Sequence, residues 1–302
     1  MTPFQERLRG NVPALLTSLT ENFAVDPDGM RRIARRVIDN GCRGFVVLGT
    51  TGEFTGIDDD QRAVAIKAAV EEAAGQVPVI VACGEPNVRR THEQAKEAAD
   101  LGADGLLVNP PFYFSMTQDE VVRYFEDLVK ASSLPVLLYN IPRMTGVTVQ
   151  PSTIPRLRDV GVQGTKDSSG SPQNTLAYVN SVGADSDFRV IVGGDQFFLA
   201  LLEAGICATT GLLANIAPQL VVRIHEAWLK GDHAAAFVAQ QRANEFAAIF
   251  MPMHEFLHAP GKAILSKLDV MERWVAPPKT SMSEAEATQC FEAVKEFLPE
   301  FE

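Results

Sequence analysis

The sequence predicts an α/β protein, a (β/α)8 TIM barrel followed by a C-terminal helical extension. Short runs of Val, Ile and Leu recur eight times along the chain, with stretches of helical spacing between them. Each run is apolar throughout, which is typical of parallel strands covered by helices on both faces of the sheet. The length of 302 residues suits one such barrel, which takes about 250 residues, with an appendage.

The predicted strands lie at the apolar runs. In chain order they are Val12 to Leu16, Gly44 to Leu48, Pro78 to Ala82, Gly105 to Val108, Pro135 to Tyr139, Val162 to Lys166, Arg189 to Val192 and Ile206 to Thr210. Eight alternating strand and helix units indicate a barrel.

Start and stop signals mark the helices between these strands. Asp58-x-x-Gln61 and Thr117-x-x-Glu120 resemble capping boxes, in which polar side chains bind the backbone at the start of a helix. Gly41 and Gly102 each follow a helical stretch and precede a strand, as expected of glycine at the end of a helix.

After Thr210 the strand pattern stops. Three amphipathic segments are predicted helices, at Pro218 to Leu229, Asp232 to Leu257 and Ser283 to Phe297. No linker rich in Gly or Ser precedes them. We therefore expect a barrel over residues 1–215 that carries the active site, and a helical region over residues 216–302 packed on it.

Composition and charge exclude several classes of function. The net charge of -11, with scattered lysines and arginines, argues against nucleic acid as a partner. No apolar run approaches the roughly 20 residues of a membrane span. The polar N-terminus lacks a signal peptide, so we expect a cytoplasmic protein with no membrane partner. The four cysteines, Cys42, Cys83, Cys207 and Cys290, are expected to be reduced and mostly buried.

Lys166 is the candidate that carries most information about function. It ends an apolar run, and desolvation disfavours the charge of an ammonium inside a core, so a buried lysine is a candidate nucleophile. Tyr139, at the end of the preceding strand, is its candidate neighbour and proton donor. Taken alone, such a lysine is usually a solvated surface residue and such a tyrosine is usually half-buried with a satisfied hydroxyl.

Barrels of this kind build their sites from the loops after the carboxyl ends of the strands. Beside Lys166, these loops carry Gly49-Thr-Thr-Gly-Glu53, Asn109-Pro-Pro-Phe-Tyr113, Tyr139-Asn-Ile-Pro142, Gly193-Gly-Asp195 and Thr209-Thr-Gly211. The set holds one amine, two phenols, hydroxyls and glycine amides, but no metal cage. It therefore favours an imine with a 2-oxo acid whose carboxylate is held by Thr50 and Thr51, and we expect no metal and no cofactor.

These motifs, with Ala214-Asn215, resemble the family of dihydrodipicolinate synthase and N-acetylneuraminate lyase, class I aldolases that form an imine with pyruvate. The resemblance covers essentially the whole chain. It implies that Lys166 forms the imine and that Tyr139 shuttles protons. It also implies that Thr50 links Tyr139 to Tyr113, which in this family can reach in from a neighbouring subunit, so that a homotetramer built of dimers is expected.

The same resemblance implies the residues that bind the 2-oxo acid. Thr50 and Thr51 would hold the carboxylate of pyruvate, and the backbone near Gly194 and Thr210 would line the pocket. Phe54 and Phe112 replace polar residues of the synthase's lysine feedback site, which predicts no inhibition by lysine.

One departure from the synthase pattern bears on the second substrate. The synthase carries an arginine two residues after the proline of Tyr-Asn-x-Pro, where it pairs with the carboxylate of aspartate semialdehyde. Here that position is Met144, and Arg143, a substrate clamp or a solvent-facing arginine, comes one residue earlier. Gly211-Leu-Leu-Ala-Asn215 looks closer to aldolases and dehydratases of 2-keto-3-deoxy sugar acids. The prediction is a lyase acting on pyruvate or such an acid, with dihydrodipicolinate synthesis as the alternative.

Two remote alternatives remain. His254-Glu255-Phe-Leu-His258 spells a zinc-hydrolase motif that places two imidazoles one helical turn apart, with Glu272 or Glu284 as a third ligand. Pro260 is expected to end that helix, and the motif is expected to lie outside the strand-end pocket, which weakens this interpretation. A barrel that only binds a ligand is the other alternative, and the set of lysine, tyrosine and threonine disfavours it.

Overall fold

The computed structural model describes residues 1–183 and 186–301, so that Glu302, the last residue of the predicted helical region, lies outside it. Within these ranges eight strands form one parallel sheet, in the order β1-β8-β7-β6-β5-β4-β3-β2. The strands are β1 (Gly10–Asn11), β2 (Phe45–Val47), β3 (Val79–Cys83), β4 (Gly105–Val108), β5 (Val136–Asn140), β6 (Gly164–Asp167), β7 (Arg189–Val192) and β8 (Ala208–Thr209). The predicted barrel is confirmed.

The barrel closes just after β1, where a parallel bridge joins Ala14 to Val46 of β2. The amide of Val46 donates to the carbonyl of Pro13 at 2.8 Å, and the amide of Leu15 donates to the carbonyl of Val46 at 2.8 Å. The predicted first strand, Val12 to Leu16, was wrong in its bounds. Pro13 has no amide hydrogen, so regular pairing is interrupted there and β1 lies two residues earlier.

Helices connect the strands and cover the outside of the barrel. They are α1 (Pro3–Arg7), α2 (Pro27–Asp39), α3 (Asp59–Ala73), α4 (Val88–Asp100), α5 (Gln118–Ala131), α6 (Pro142–Thr145), α7 (Ile154–Asp159), α8 (Pro172–Val182), α9 (Phe198–Glu203), α10 (Leu213–Ile216), α11 (Pro218–Leu229), α12 (His233–Phe250), α13 (His258–Ser266) and α14 (Glu284–Val294). Short 3-10 turns lie at Phe54–Gly56, Pro151–Thr153, Asp195–Phe197, Met251–Met253 and Lys295–Glu300.

The two predicted capping boxes have different outcomes. Thr117 caps α5, and the side chains of Thr117 and Glu120 bind each other's backbone amides as predicted. Asp58 precedes α3 but makes no side-chain capping bond. The side chain of Gln61 is used elsewhere, because it accepts a hydrogen bond from the amide of Val25 at 2.8 Å.

The apolar core has two layers, as a barrel requires. One layer fills the space between the sheet and the surrounding helices. The other lies inside the barrel and includes Val46, Ile80, Leu107, Leu137 and Ile191, together with Phe4 and Leu8. The ring of Phe4 lies against Gly105, the first residue of β4, and so closes the barrel at the amino ends of the strands. The opposite, carboxyl end is left for the polar residues of the strand-end loops.

The C-terminal helices depart from prediction at one place. The predicted helix from Asp232 to Leu257 ends at Phe250, and His254 has extended backbone angles of φ -159 and ψ 144. Pro252 explains the break, because proline removes an amide donor and its ring clashes with the preceding turn. An unpredicted helix, α13, begins at His258 and holds Pro260 in its first turn, where a missing amide does no harm. Pro260 therefore lies at the start of a helix and does not end one.

Two further observations concern membrane-spanning helices and the cysteines. No described helix has the length and hydropathy needed to cross a bilayer. All four cysteines are free, three of them buried and Cys207 partly buried, as predicted.

Candidate active site

Lys166 and Tyr139 face each other at the carboxyl end of the barrel. They are direct partners in the ladder between β5 and β6. Because side chains alternate along strands, paired residues of neighbouring parallel strands point the same way, and Tyr139 belongs to the apolar layer inside the barrel. The Nζ of Lys166 lies 4.3 Å from the centroid of the Tyr139 ring. The two residues are only 5% and 4% exposed, so the predicted amine and phenol meet in a buried place.

Thr50 extends this pair towards the loop after β2. Its Oγ1 lies 3.2 Å from the hydroxyl of Tyr139, and either oxygen can donate the hydrogen bond. The loop turns sharply, with positive φ angles at Leu48 and Glu53 of 57° and 58°. Such angles are strained for residues with a side chain and persist where the surroundings enforce them. The result is a continuous line of contact from the amine of Lys166 through the phenol to a threonine hydroxyl.

A cavity of about 530 Å³ opens above this line of residues. Among its lining residues are Thr50, Asn109, Phe112, Tyr139, Arg143 and Met144. Phe54 also borders it. Lys166 is not part of the lining and lies against the ring of Tyr139, at the inner end of the site. Arg143 and Met144 sit on the short helix α6 and are both exposed, so each side chain borders the space in which a second substrate would lie.

Thr51, Gly194 and Thr210 lie outside the lining of this cavity. Thr210 is buried, and its amide donates to the carbonyl of Val192 at 2.8 Å. The carbonyl of Gly194 accepts a hydrogen bond from the hydroxyl of Thr209 at 3.3 Å. These predicted substrate residues are thus close to the strand ends, but the structure does not bring them to the cavity.

Asp195, after β7, is a buried carboxyl that reasoning from sequence did not single out. One carboxylate oxygen accepts a hydrogen bond from the hydroxyl of Thr209 at 3.1 Å, and the other accepts from the amide of Leu213 at 3.3 Å. Burial raises the pKa of Asp195 to about 6, while these two hydrogen bonds and the positive charge of Lys166 act in the opposite direction. Asp195 therefore supplies negative charge near Lys166 at neutral pH.

Asp167 shows how the strand ends are held in place. Its Oδ1 accepts a hydrogen bond from the side-chain amide of Asn140 at 2.8 Å, which ties the end of β6 to the end of β5. Its Oδ2 accepts from the hydroxyl of Thr175 at 2.7 Å and from the side-chain amide of Asn174 at 3.1 Å, both in α8. Asn140 and Asp167, which directly follow Tyr139 and Lys166 in the chain, are thereby bound to each other on the outer side of the barrel.

Tyr113 stands apart from the other predicted catalytic residues. Its side chain is 86% exposed, its φ angle is 86°, and its ring packs edge-on against the exposed Phe114 with centroids 5.1 Å apart. Within the described part of the chain it makes no hydrogen bond to Thr50. The structure therefore does not join Tyr113 to the site of its own chain.

The segment that spells the zinc motif lies at the cavity, contrary to the prediction that it lies outside the pocket. Glu255, Phe256 and His258 all line the cavity. The motif does not form the expected helix, since His254 is extended and α13 starts only at His258. The Nε2 of His258 binds the carbonyl of Thr50 at 2.9 Å, and the Nδ1 of His254 accepts from the amide of Phe256 at 2.9 Å. Two imidazoles on one helical face are not present, so the zinc interpretation of this motif was wrong.

A buried ion pair joins the C-terminal region to the loop after β2. The Nζ of Lys262 in α13 lies 2.5 Å from Oε1 of Glu53, with side chains 0% and 3% exposed. Burial lowers the pKa of Lys262, and the carboxylate of Glu53 opposes this. The other oxygen of Glu53 accepts from the amide of Ala276 at 2.7 Å, and Lys262 donates to the carbonyl of Trp274 at 2.6 Å.

The contacts of Glu53 with Lys262 and Ala276 were missed from the sequence because they join residues more than 200 positions apart. The sequence motif that contains Glu53 does not indicate which residue pairs with it. One signal was available: Lys262 lies at the centre of the apolar stretch Ala259-Pro-Gly-Lys-Ala-Ile-Leu265. A lysine that is buried in such a stretch needs a buried acid as its partner.

Comparison with known proteins places the chain in a family. Residues 7–297 match the dihydrodipicolinate synthetase family. A 4-hydroxy-tetrahydrodipicolinate synthase of Acidiphilium cryptum is 31% identical over 286 residues, which are 93% of this chain and 95% of the relative. A probable 2-dehydro-3-deoxy-D-pentonate aldolase of Escherichia coli, YjhH, is 31% identical over 250 residues, 81% of this chain and 82% of the relative.

A solved structure indicates the same family. It is that of YagE, a prophage protein of the dihydrodipicolinic acid synthase family from Escherichia coli K12, in complex with pyruvate. It matches with a TM-score of 0.87 and 27% identity, over 96% of this chain and 98% of that one. The predictions that the chain is a member of this family and that it is a lyase are confirmed. The chain belongs to the dihydrodipicolinate synthetase family.

Proposed function

We propose that the protein is a Schiff-base-forming lyase that acts on pyruvate or on a 2-keto-3-deoxy sugar acid. The observation that carries the proposal is the line of contact from Lys166 to Tyr139 to Thr50, in which a buried amine lies 4.3 Å from a phenol ring whose hydroxyl is 3.2 Å from a threonine hydroxyl. An amine nucleophile next to a group that can exchange protons is what imine formation requires.

In the proposed reaction, the lone pair of the Lys166 nitrogen attacks the C2 carbonyl carbon of the 2-oxo acid. The carbonyl oxygen takes a proton, relayed by Tyr139, and leaves as water after a second protonation, so that a C=N bond replaces the C=O bond. The protonated imine accepts the electron pair of the C3–C4 bond, while the C4 hydroxyl gives up its proton and C4 leaves as an aldehyde, or it accepts the pair of a C3–H bond as that proton leaves; in either case an enamine forms. Protonation of C3 and hydrolysis then release pyruvate and restore the amine.

The second half of the reaction depends on the residues that border the outer cavity. Relatives of this chain carry names of both a synthase and an aldolase of a 2-keto-3-deoxy sugar acid. Met144 is apolar and Arg143 is cationic, and both border the cavity. Met144, at the position of the synthase's arginine, cannot pair with the carboxylate of aspartate semialdehyde, which weighs against condensation. The presence of Arg143 beside it keeps condensation of pyruvate with aspartate semialdehyde as the second candidate, because an arginine can pair with the carboxylate of that aldehyde.

A substrate panel tests the proposal. The purified protein is incubated with a series of 2-keto-3-deoxy acids, and separately with pyruvate plus aspartate semialdehyde, and pyruvate release or consumption is measured. The controls are Lys166→Arg, which keeps the charge and removes the nucleophile, and Lys230→Arg, the same change at an exposed position. We expect turnover of at least one 2-keto-3-deoxy acid by the wild type and the Lys230 variant only. If the wild type turns over none of these compounds, the proposal is contradicted.

The proposal includes a shared site between subunits. Tyr113 is exposed in the single chain and would complete the proton relay at Thr50 of a neighbouring copy, within a homotetramer built of dimers. Analytical ultracentrifugation of the wild type and of Tyr113→Ala tests this part. A wild type that sediments as a monomer and yet turns over substrate contradicts it.

Five further elements belong to the proposal. Thr50 and Thr51 would hold the carboxylate of the 2-oxo acid, and the backbone near Gly194 and Thr210 would line the pocket around it. The division between barrel and helical region would fall at residues 215 and 216. A cytoplasmic location is supported by the four free cysteines, which an oxidising compartment disfavours. We propose no cofactor, and the replacement of polar residues by Phe54 and Phe112 supports the absence of inhibition by lysine.

A further inference from the structure

The loop that carries Thr50 is held from the C-terminal region at two residues. His258 binds the carbonyl of Thr50 at 2.9 Å. Glu53 is bound by Lys262 at 2.5 Å and by the amide of Ala276 at 2.7 Å. Glu53 also returns to the same carbonyl, since its amide donates to the oxygen of Thr50 at 3.1 Å. The position of the Thr50 peptide therefore depends on two donors, one from its own turn and one from α13.

The hydrogen bond fixes the tautomer of His258. A carbonyl oxygen only accepts hydrogen bonds, so the proton must lie on Nε2. Nδ1 is then an acceptor, and in the described part of the chain this buried nitrogen has no partner. The ring is 8% exposed and lies against Phe256, with ring centroids 4.0 Å apart. Burial lowers the pKa of His258, although the carboxylate of Glu53 opposes this effect, so the imidazole is neutral at neutral pH.

The same peptide presents the side chain that binds Tyr139. The Oγ1 of Thr50 is attached to the residue whose carbonyl His258 holds, and it lies 3.2 Å from the phenol hydroxyl. A displacement of the Thr50 backbone would move Oγ1 away from Tyr139, because Oγ1 is carried by the Cα atom next to the carbonyl that His258 holds. His258, Thr50 and Tyr139 also border the same cavity.

We propose that His258 is a positioning residue, which donates its Nε2 hydrogen to the Thr50 carbonyl and so keeps the Thr50 hydroxyl in reach of Tyr139. The inference rests on the proposed function, because it gives the C-terminal region a part in proton transfer at Lys166. A merely structural histidine would stabilise the fold without changing the rate of that transfer. A positioning histidine changes the rate and leaves pyruvate binding nearly unchanged.

Pyruvate alone is a sufficient probe. In D2O, exchange of the methyl hydrogens of pyruvate above the rate in buffer requires that the imine has formed and that a C3 proton has left, and NMR follows the loss of the methyl signal. The variants are His258→Gln, whose amide nitrogen can occupy the place of Nε2, and His258→Asn, whose amide is one methylene too short. His258→Phe retains a ring and removes the donor. His233→Gln, at a histidine 68% exposed, is the matched control.

We expect the exchange rate at saturating pyruvate to fall by at least about tenfold in His258→Asn and His258→Phe, because small displacements of catalytic groups have large effects on rate. The glutamine variant and the control should stay within about threefold of the wild type, as should the KM for pyruvate in every variant. Circular dichroism establishes that each variant is folded. If the phenylalanine variant is unfolded, the comparison of asparagine with glutamine decides.

Two results overturn the inference. One is wild-type exchange in a folded His258→Asn or His258→Phe variant. The other is an equal loss in His258→Gln and His258→Asn, which would assign the effect to the ring and not to its donor. Failure of the proposed function is distinguishable, because the wild type itself would then show no exchange above that of pyruvate in buffer.

Discussion

Tyr139 and Lys166 are paired across the ladder between β5 and β6, and this pairing sets the lysine nitrogen 4.3 Å from the centre of the phenol ring. The pairing is a property of the barrel itself, because neighbouring strands lie about 4.8 Å apart and paired side chains point the same way. A hydrogen bond from the side chain of Asn140 to Asp167 holds the same two strand ends together from the other side. The sheet therefore fixes the two backbone positions from which the amine and the phenol project.

Removing the phenol hydroxyl tests its role in proton transfer. Tyr139→Phe keeps the ring against Lys166 and removes the oxygen that binds Thr50. We expect kcat on the substrate found in the panel to fall by about 100-fold or more, which is the usual contribution of a general acid or base. Steady-state kinetics measure this. A variant with unchanged kcat would show that the proton relay does not pass through Tyr139.

The buried carboxyl of Asp195 should make stability depend on pH. Its pKa in the folded protein is about 6, above the ordinary value of 3.8, so the folded state holds more protons than the unfolded state between these values. Stability linked to this group is therefore present below pH 3.8 and is lost as pH rises through 6. In Asp195→Asn this loss is absent.

The measurement is the difference in Tm between Asp195→Asn and the wild type, taken from pH 4 to pH 7. We expect the difference to shift in favour of the variant as pH rises. A difference that does not change with pH would contradict a raised pKa of Asp195.

The close approach of Gly211 to Asp195 predicts a steric effect. A Cβ atom added at Gly211 would lie 2.0 Å from a carboxylate oxygen of Asp195, which is buried and bound by Thr209 and Leu213. We expect Gly211→Ala to destabilise the protein by about 1–3 kcal/mol, the usual effect of overpacking a core. Denaturant unfolding checks this against Gly49→Ala, whose added Cβ would lie 3.6 Å from Val46. Equal stability of the two variants would contradict the predicted clash.

The ion pair between Lys262 and Glu53 predicts non-additive effects on stability. Lys262→Met leaves the carboxylate of Glu53 buried without its partner, which destabilises by about 3–5 kcal/mol in comparable pairs. The double variant Glu53→Gln/Lys262→Met removes both charges and should recover part of this loss. A double-mutant cycle by urea unfolding measures the coupling. Additive effects would mean that the two charges do not interact in solution.

The inner part of the site could be predicted from the sequence because it follows from rules about strands. Lys166 and Tyr139 end two successive apolar runs, and the ends of neighbouring parallel strands meet at the same edge. The motif around Thr50 follows the second run in the same way. Each of these side chains is placed by local pattern and by the closure of the barrel.

The outer part could not be predicted because it depends on long-range packing. His258 reaches Thr50 across 208 positions, and nothing in the local pattern gives the direction from which α13 approaches. The pattern of apolar residues ran through Pro252, so that one long helix was predicted where the structure has a break and a new helix. The sequence shows Asp195 only as part of a glycine-rich loop. In the structure its carboxylate is bound by Thr209 of β8 and Leu213 of α10, two elements that come later in the chain.

Trapping of the imine tests the central claim most directly. The protein is incubated with pyruvate, reduced with borohydride, digested and analysed by mass spectrometry, with Lys166→Arg as the control. The account predicts a reduced pyruvate adduct on the peptide that contains Lys166 in the wild type, and none in the variant. An unmodified Lys166, or an adduct on another lysine, would contradict it.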